Sequence, residues 1–133
     1  MSEPEFDESV VKADKRSKAV ALIVAIAAFL LVRELVDDVQ FASIVAATAG
    51  IGVRLYIPYH ASVRVPASDR TSLSEHPTVG AYHHGAAGIG LAVLSVVAAA
   101  AFVFTQGFVT SVGVGIIAGV VSYVVLSSVL PTG

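Results

Sequence analysis

The chain has 133 residues, of which 56% are hydrophobic and 14% charged, with a mean hydropathy of +0.83 and a formal net charge of -2. So small a charge, with no basic stripe interleaved with aromatics, excludes nucleic acid as a partner. The absence of cysteine excludes disulfides, Cys-ligated zinc or iron-sulfur sites and a thiol nucleophile, and leaves the redox compartment unread.

Residues 1–18 are polar and two-toned: Glu3, Glu5, Asp7 and Glu8 come first, then Lys12, Lys15, Arg16 and Lys18 gather against the first apolar run. This reads as a cytoplasmic tail whose Lys15, Arg16 and Lys18 meet anionic headgroups at the membrane interface, with a helix beginning near Asp7 or Ser9. Span 1 is predicted from Ala19 to about Val36. Its unbroken apolar core of 14 residues, Ala19 to Val32, is short enough for a signal peptide. An acidic start and the lack of a small-residue cleavage site in Arg33-Glu34-Leu35-Val36-Asp37-Asp38 argue instead for a true span. Arg33, an interface residue, and Glu34 snorkel outward, so Leu35 and Val36 complete the helix. A carboxylate inside a membrane hints at function, but Glu34 stands three residues before Asp37 and is expected at headgroup depth or paired with Arg33.

The acidic turn Asp37 to Gln40 is too short for anything but an antiparallel hairpin, so 19–57 forms the first transmembrane hairpin. Span 2 runs from Phe41 to Ile57 and is ended by Pro58, with Arg54 and Tyr56 as interface residues. Residues 58–84 form a cytoplasmic loop carrying all four histidines. Ser72 and Glu75 have capping-box spacing, but Pro77 suits better the first position of a long third helix that protrudes before its apolar part begins. His60, His83 and His84 are candidate cofactor ligands, since a histidine ending span 2 facing one that begins span 3 would suit bis-His haem. No His-x-x-x-His pair and no carboxylate at ligand spacing accompany them, and Tyr82-His83-His84 reads equally as an interfacial collar. No metal and no cofactor is therefore expected. Ser62, Ser68, Ser72 and Ser74, near Asp69 and His76, supply triad residue types without a nucleophile elbow or a phosphate-binding glycine loop, so no enzyme is expected.

From His76 to Gly133 there is no Asp, Glu, Lys or Arg in 58 residues, where a soluble domain would carry roughly 14. The 46 residues from Gly85 to Leu130 would make one helix about 69 Å long, over twice a ~30 Å hydrocarbon core. They must fold back, and Thr105-Gln106-Gly107 is the break, with Gly107 as the helix stop. Span 3 is Gly85 to Phe104 and span 4 Gly107 to Leu130, so 85–133 forms the second transmembrane hairpin.

The fold expected is thus an all-α integral membrane protein, a bundle of four transmembrane helices in two antiparallel hairpins. Lys12, Lys15, Arg16 and Lys18 in the tail and Arg54, Arg64 and Arg70 around the central loop face Arg33 alone on the other side. The positive-inside rule then puts both termini and the loop in the cytoplasm of a multi-pass cell-membrane protein. Ala42, Ala46 and Gly50 in span 2, and Ser111, Gly115 and Gly119 in span 4, recur every four residues and mark helix-packing faces, because helices in lipid associate by close backbone approach.

In length and span count this format resembles the small multidrug exporters and the dual-topology fluoride channels. The exporters carry a carboxylate well inside span 1, whereas Glu34 ends it. The channels' Gly-Gly-x-x-Gly-Ala-x-x-Arg run is only partly echoed by Gly50-Ile51-Gly52-Val53-Arg54, in another span. No functional residue carries over. Two functions remain open: a non-catalytic structural or accessory component that packs in the bilayer as a homo-oligomer or as a subunit of a larger complex, and an oligomeric transporter or channel. The second would use Thr110, Ser111, Ser122, Ser127 and Ser128 of span 4 and Ser95 of span 3.

Overall fold

The carboxylate of Asp7 starts the first helix. It accepts hydrogen bonds from the Ser9 hydroxyl at 2.6 Å and the Ser9 amide at 2.9 Å, and these hold its carboxyl below the usual carboxylate range. The computed structural model describes residues 6–71 and 82–132. Among them are four helices, α1 (Glu8–Val36), α2 (Val39–Val63), α3 (His84–Thr105) and α4 (Phe108–Val129). All four are long and apolar enough to cross a membrane. The 29 residues of α1 join the basic cluster and the apolar run into one continuous helix.

The two short connections share one conformation. Asp37 takes a left-handed φ of 48° and its amide bonds the Arg33 carbonyl; Asp38 then turns extended and its side chain accepts the Phe41 amide at 2.9 Å, capping α2. Gln106 likewise has φ 53° and bonds Phe102, and Gly107 is extended at the cap of α4. The residue in the left-handed conformation is therefore Gln106 and not Gly107, which stands one position later, where the next helix starts.

Two predicted boundaries shift. Pro58 does not end α2, which continues to Val63 with Pro58 buried inside it. A proline inside a helix forfeits one hydrogen bond and crowds the carbonyl four residues back. Here the following turn is held by packing: Tyr59 is buried in a cluster with Val10 and Val65, against which Leu130 also packs. The first six residues assigned to the loop, 58–63, thus belong to a helix. In turn α3 begins at His84, and Tyr82 and His83 are not helical. The expected helix start at Pro77, with Ser72, Ser74, Glu75 and His76, lies outside the described residues.

The helices pack in chain order, α1 on α2, α2 on α3 and α3 on α4, while α1 only grazes α3. Beside the two short connections all four meet around Phe41, which is fully buried: Val32 of α1, Phe102 of α3 and Phe108 of α4 close on it. The Phe41 ring lies 4.4 Å from that of Phe102 and 5.9 Å, edge-on, from that of Phe108. Toward the outside the same helices present large apolar side chains, among them Leu22, Ile23, Leu30, Leu31, Ile117 and Val124, each at least 60% exposed.

Candidate functional site: the contacts between the helices

Small residues set how closely the backbones approach. Ala42, Ala46 and Gly50 are all buried on α2, and a Cβ on Gly50 would stand 3.2 Å from the Ala21 carbonyl oxygen and from the Ala25 Cβ. Ser111, Gly115 and Gly119 are the buried residues of α4. A Cβ on Gly115 would lie 2.8 Å from the Ala98 Cβ and one on Gly119 2.9 Å from the Gly90 carbonyl oxygen, both too close to real backbone or Cβ atoms to be accommodated without a shift. A close backbone-to-backbone approach of α2 and α3 involves residues not named from the sequence as packing residues. Gly52 and Gly88 face each other so that a Cβ on either would meet the other's carbonyl oxygen at 2.8 Å. Gly85 lies flat against the Tyr59 ring. The sequence signal for these was Gly85, Gly88 and Gly90 falling within six positions of α3.

Several polar groups inside the packed pairs are matched, whereas the fully buried Ser62 hydroxyl has no partner among the described residues. Near the α1 end that carries the basic cluster, Arg54 Nη1 donates to Asp14 Oδ1 at 2.6 Å and to Ser17 Oγ at 2.7 Å. Ser17, fully buried, in turn donates its hydroxyl to the Asp14 carbonyl at 2.7 Å. Arg54, expected at the membrane interface, reaches to a neighbouring helix, where a carboxylate and a hydroxyl one turn apart on α1 offer two acceptors. Midway along α2 and α3, Thr48 Oγ1 and Ser95 Oγ are 2.6 Å apart. Each also lies within reach of carbonyls on its own helix, Ile44 and Val45 for Thr48 and Leu91 for Ser95, so whichever hydroxyl donates across, the other closes back.

A third group ties the far end of α4 down. Tyr59 donates its hydroxyl to the Pro131 carbonyl at 2.6 Å, and Arg70 donates to the Thr132 carbonyl at 2.8 Å while also bonding the carbonyls of Val63 and Val65. His83 Nδ1 accepts the Ala86 amide at 3.1 Å and its Nε2 lies 3.3 Å from the Leu130 carbonyl oxygen. A carbonyl only accepts, so the two contacts require the neutral ring with its proton on Nε2. Both nitrogens of His83 are thereby engaged with backbone.

Each candidate cofactor ligand lies against an aromatic ring. His60 is exposed beside Tyr56, His83 lies beside Tyr59, and Tyr56 and Tyr59 adjoin one another, so each imidazole has a phenol ring as its aromatic neighbour. His84 is buried and stacks on Tyr82 with centroids 4.5 Å apart. Among the described residues no three His, Cys, Asp or Glu side chains come together as a metal site. Of the remaining interface residues, Lys15, Arg16, Lys18 and Arg33 are exposed and Tyr56 is half-buried. Glu34 is exposed too and forms no ion pair with Arg33. Ser95 and Ser111, two of the hydroxyls expected to line a conduit, are buried in helix contacts.

Compared with known protein families, with curated proteins and with solved structures, the chain has no match.

Proposed function

We propose that the chain is a multi-pass component of the cell membrane, built as two antiparallel hairpins, that works without catalysis as a structural or accessory subunit through helix packing. One observation carries this reading: the helices meet on faces of buried Gly, Ala and Ser and leave a belt of large apolar side chains outward. Water does not tolerate an exposed belt of Leu, Ile and Val of this extent, and lipid does. Exposed hydroxyls behave accordingly. Ser43, Thr105 and Ser128 each close onto a carbonyl of their own helix, as a hydroxyl must where no water is at hand.

The running of the contacts supports the hairpins. From Gly50 to Arg54 along α2, the partners on α1 move back from Ala21 and Ala25 to Asp14 and Ser17. From Gly90 to Ala98 along α3, those on α4 move back from Gly119 to Gly115. With both short connections at the Phe41 end, the Lys and Arg distribution favours placing that end outside and the Arg54 end, with both termini, in the cytoplasm.

Because α1 and α4 each pack along their length on one neighbour only, their outer faces are free for a second copy or for other subunits of a larger membrane complex. A conduit is the weaker reading, since the deepest hydroxyls, Thr48 and Ser95, spend their hydrogen bonds on each other and on backbone. Light scattering on the protein purified in mild detergent tests the proposal. The expected protein mass is a multiple of the 13.6 kDa monomer, or a stoichiometric complex with a co-purifying membrane protein. A strict monomer without a partner would reject the accessory role.

A further inference from the structure

Between α1 and α2, at the end where Arg54 meets Asp14, a groove of about 350 Å³ is floored by Ala13, Ile57 and Ala61 and rimmed by Lys12, Arg16, His60 and Arg64. No Asp or Glu lines it. Lys12 is paired with Glu8 at 3.0 Å, whereas Arg16 and Arg64 form no ion pair among the described residues, so two guanidinium groups, one on α1 and one on the residue capping α2, flank one opening without an anion between them. A second groove, about 570 Å³ and lined without charge, runs along α2 and α3 where Gly52 and Gly88 draw the backbones together, past Val53, Val93 and Val97. Ile57 lines both. Val53, Ile57 and His60 follow one another at helical spacing on one face of α2, and Arg64, its C-cap residue, continues that spacing, so the two grooves adjoin at Ile57, the one cationic and the other apolar.

We propose that these adjoining grooves bind one anionic phospholipid, with its headgroup phosphate between Arg16 and Arg64 and an acyl chain along the Gly52–Gly88 seam. The proposal rests on the membrane-spanning reading above, which sets the guanidinium groups at headgroup depth and the seam in the hydrocarbon. Guanidinium forks match phosphate oxygens, and the surplus of positive charge selects an anionic headgroup over a zwitterionic one. Specificity arises from the convergence of two helices, which a basic tail lying on any anionic surface does not need.

Native mass spectrometry of the detergent-purified full chain, offered phosphatidylglycerol or phosphatidylcholine of identical acyl chains, tests it. A single phosphatidylglycerol adduct is expected, with occupancy about tenfold above phosphatidylcholine. The exposed-site variant Arg16→Gln/Arg64→Gln should lower it to the phosphatidylcholine level, while Lys15→Gln/Lys18→Gln, which removes as much charge outside the groove, should leave it in place. Equal occupancy by the two lipids, or equal loss in both variants, would overturn the site. So would competition by inorganic phosphate or glycerol phosphate at the concentration of the lipid, since the apolar seam would then contribute nothing. Alkaline extraction of the expressing membranes separates the two levels. A chain released into the supernatant refutes the spanning reading and the lipid site with it, whereas a chain retained in the pellet that shows no lipid preference refutes the lipid site alone.

Discussion

Arg54 stands on a helix apolar enough to cross a membrane, and its acceptors are supplied by the neighbouring helix. Position alone could not reveal this. Arg54 and Asp14 are forty residues apart, and Asp14 sits within a run of Lys and Arg that reads as a basic cluster. The pair is also the stronger of the two ion pairs among the described residues. Glu8 and Lys12 are largely exposed and water-screened, while Arg54 and Asp14 are about one-third exposed and share the buried Ser17. Discounted for that residual exposure, Asp14→Asn should destabilise the α1–α2 pair by roughly 1 kcal/mol and Lys12→Gln by no more than about 0.3 kcal/mol. Unfolding of each variant in mixed micelles measures the difference, and equal effects would contradict the distinction.

At the scale of the helix, existence was legible and termini were not. The absence of charge over Gly85 to Leu130, and the apolar runs before and after Asp37 and Asp38, locate four helices because no other backbone satisfies itself in an apolar setting. Pro58 misleads because a local rule competes with packing: one hydrogen bond is forgone while Tyr59 is buried on the next turn against Val10 and Val65. His83 misleads differently, since its ring takes the cap position of α3 that sequence patterns assign to Ser, Thr, Asp or Asn. The glycines divide by what a side chain would meet. Gly119 faces the Gly90 carbonyl, whereas Gly113 on the same helix has nothing within 4 Å of an added Cβ. Gly119→Leu should therefore part α3 from α4 and lower the midpoint of thermal unfolding by several degrees, while Gly113→Leu should leave it unchanged. Like shifts in both would show that composition and not contact geometry governs the seam.

For the whole molecule, the pairing of α1 with α2 and of α3 with α4 followed from connections two residues long, which leave no alternative neighbour. That α2 and α3 would be joined by a glycine seam could not be read, because the intervening segment is long and Ala and Gly are abundant on every helix. Partner, lipid and orientation all depend on one prior claim, that the helices cross a bilayer with both short connections on the side away from residues 64–71. The chain lacks cysteine, so single-cysteine variants report without background. Impermeant maleimide applied to sealed right-side-out membranes should label Val39→Cys and Gln106→Cys at once, and Ser68→Cys only after the membranes are opened. Labelling of Ser68→Cys in sealed membranes, alongside the other two, would contradict the account.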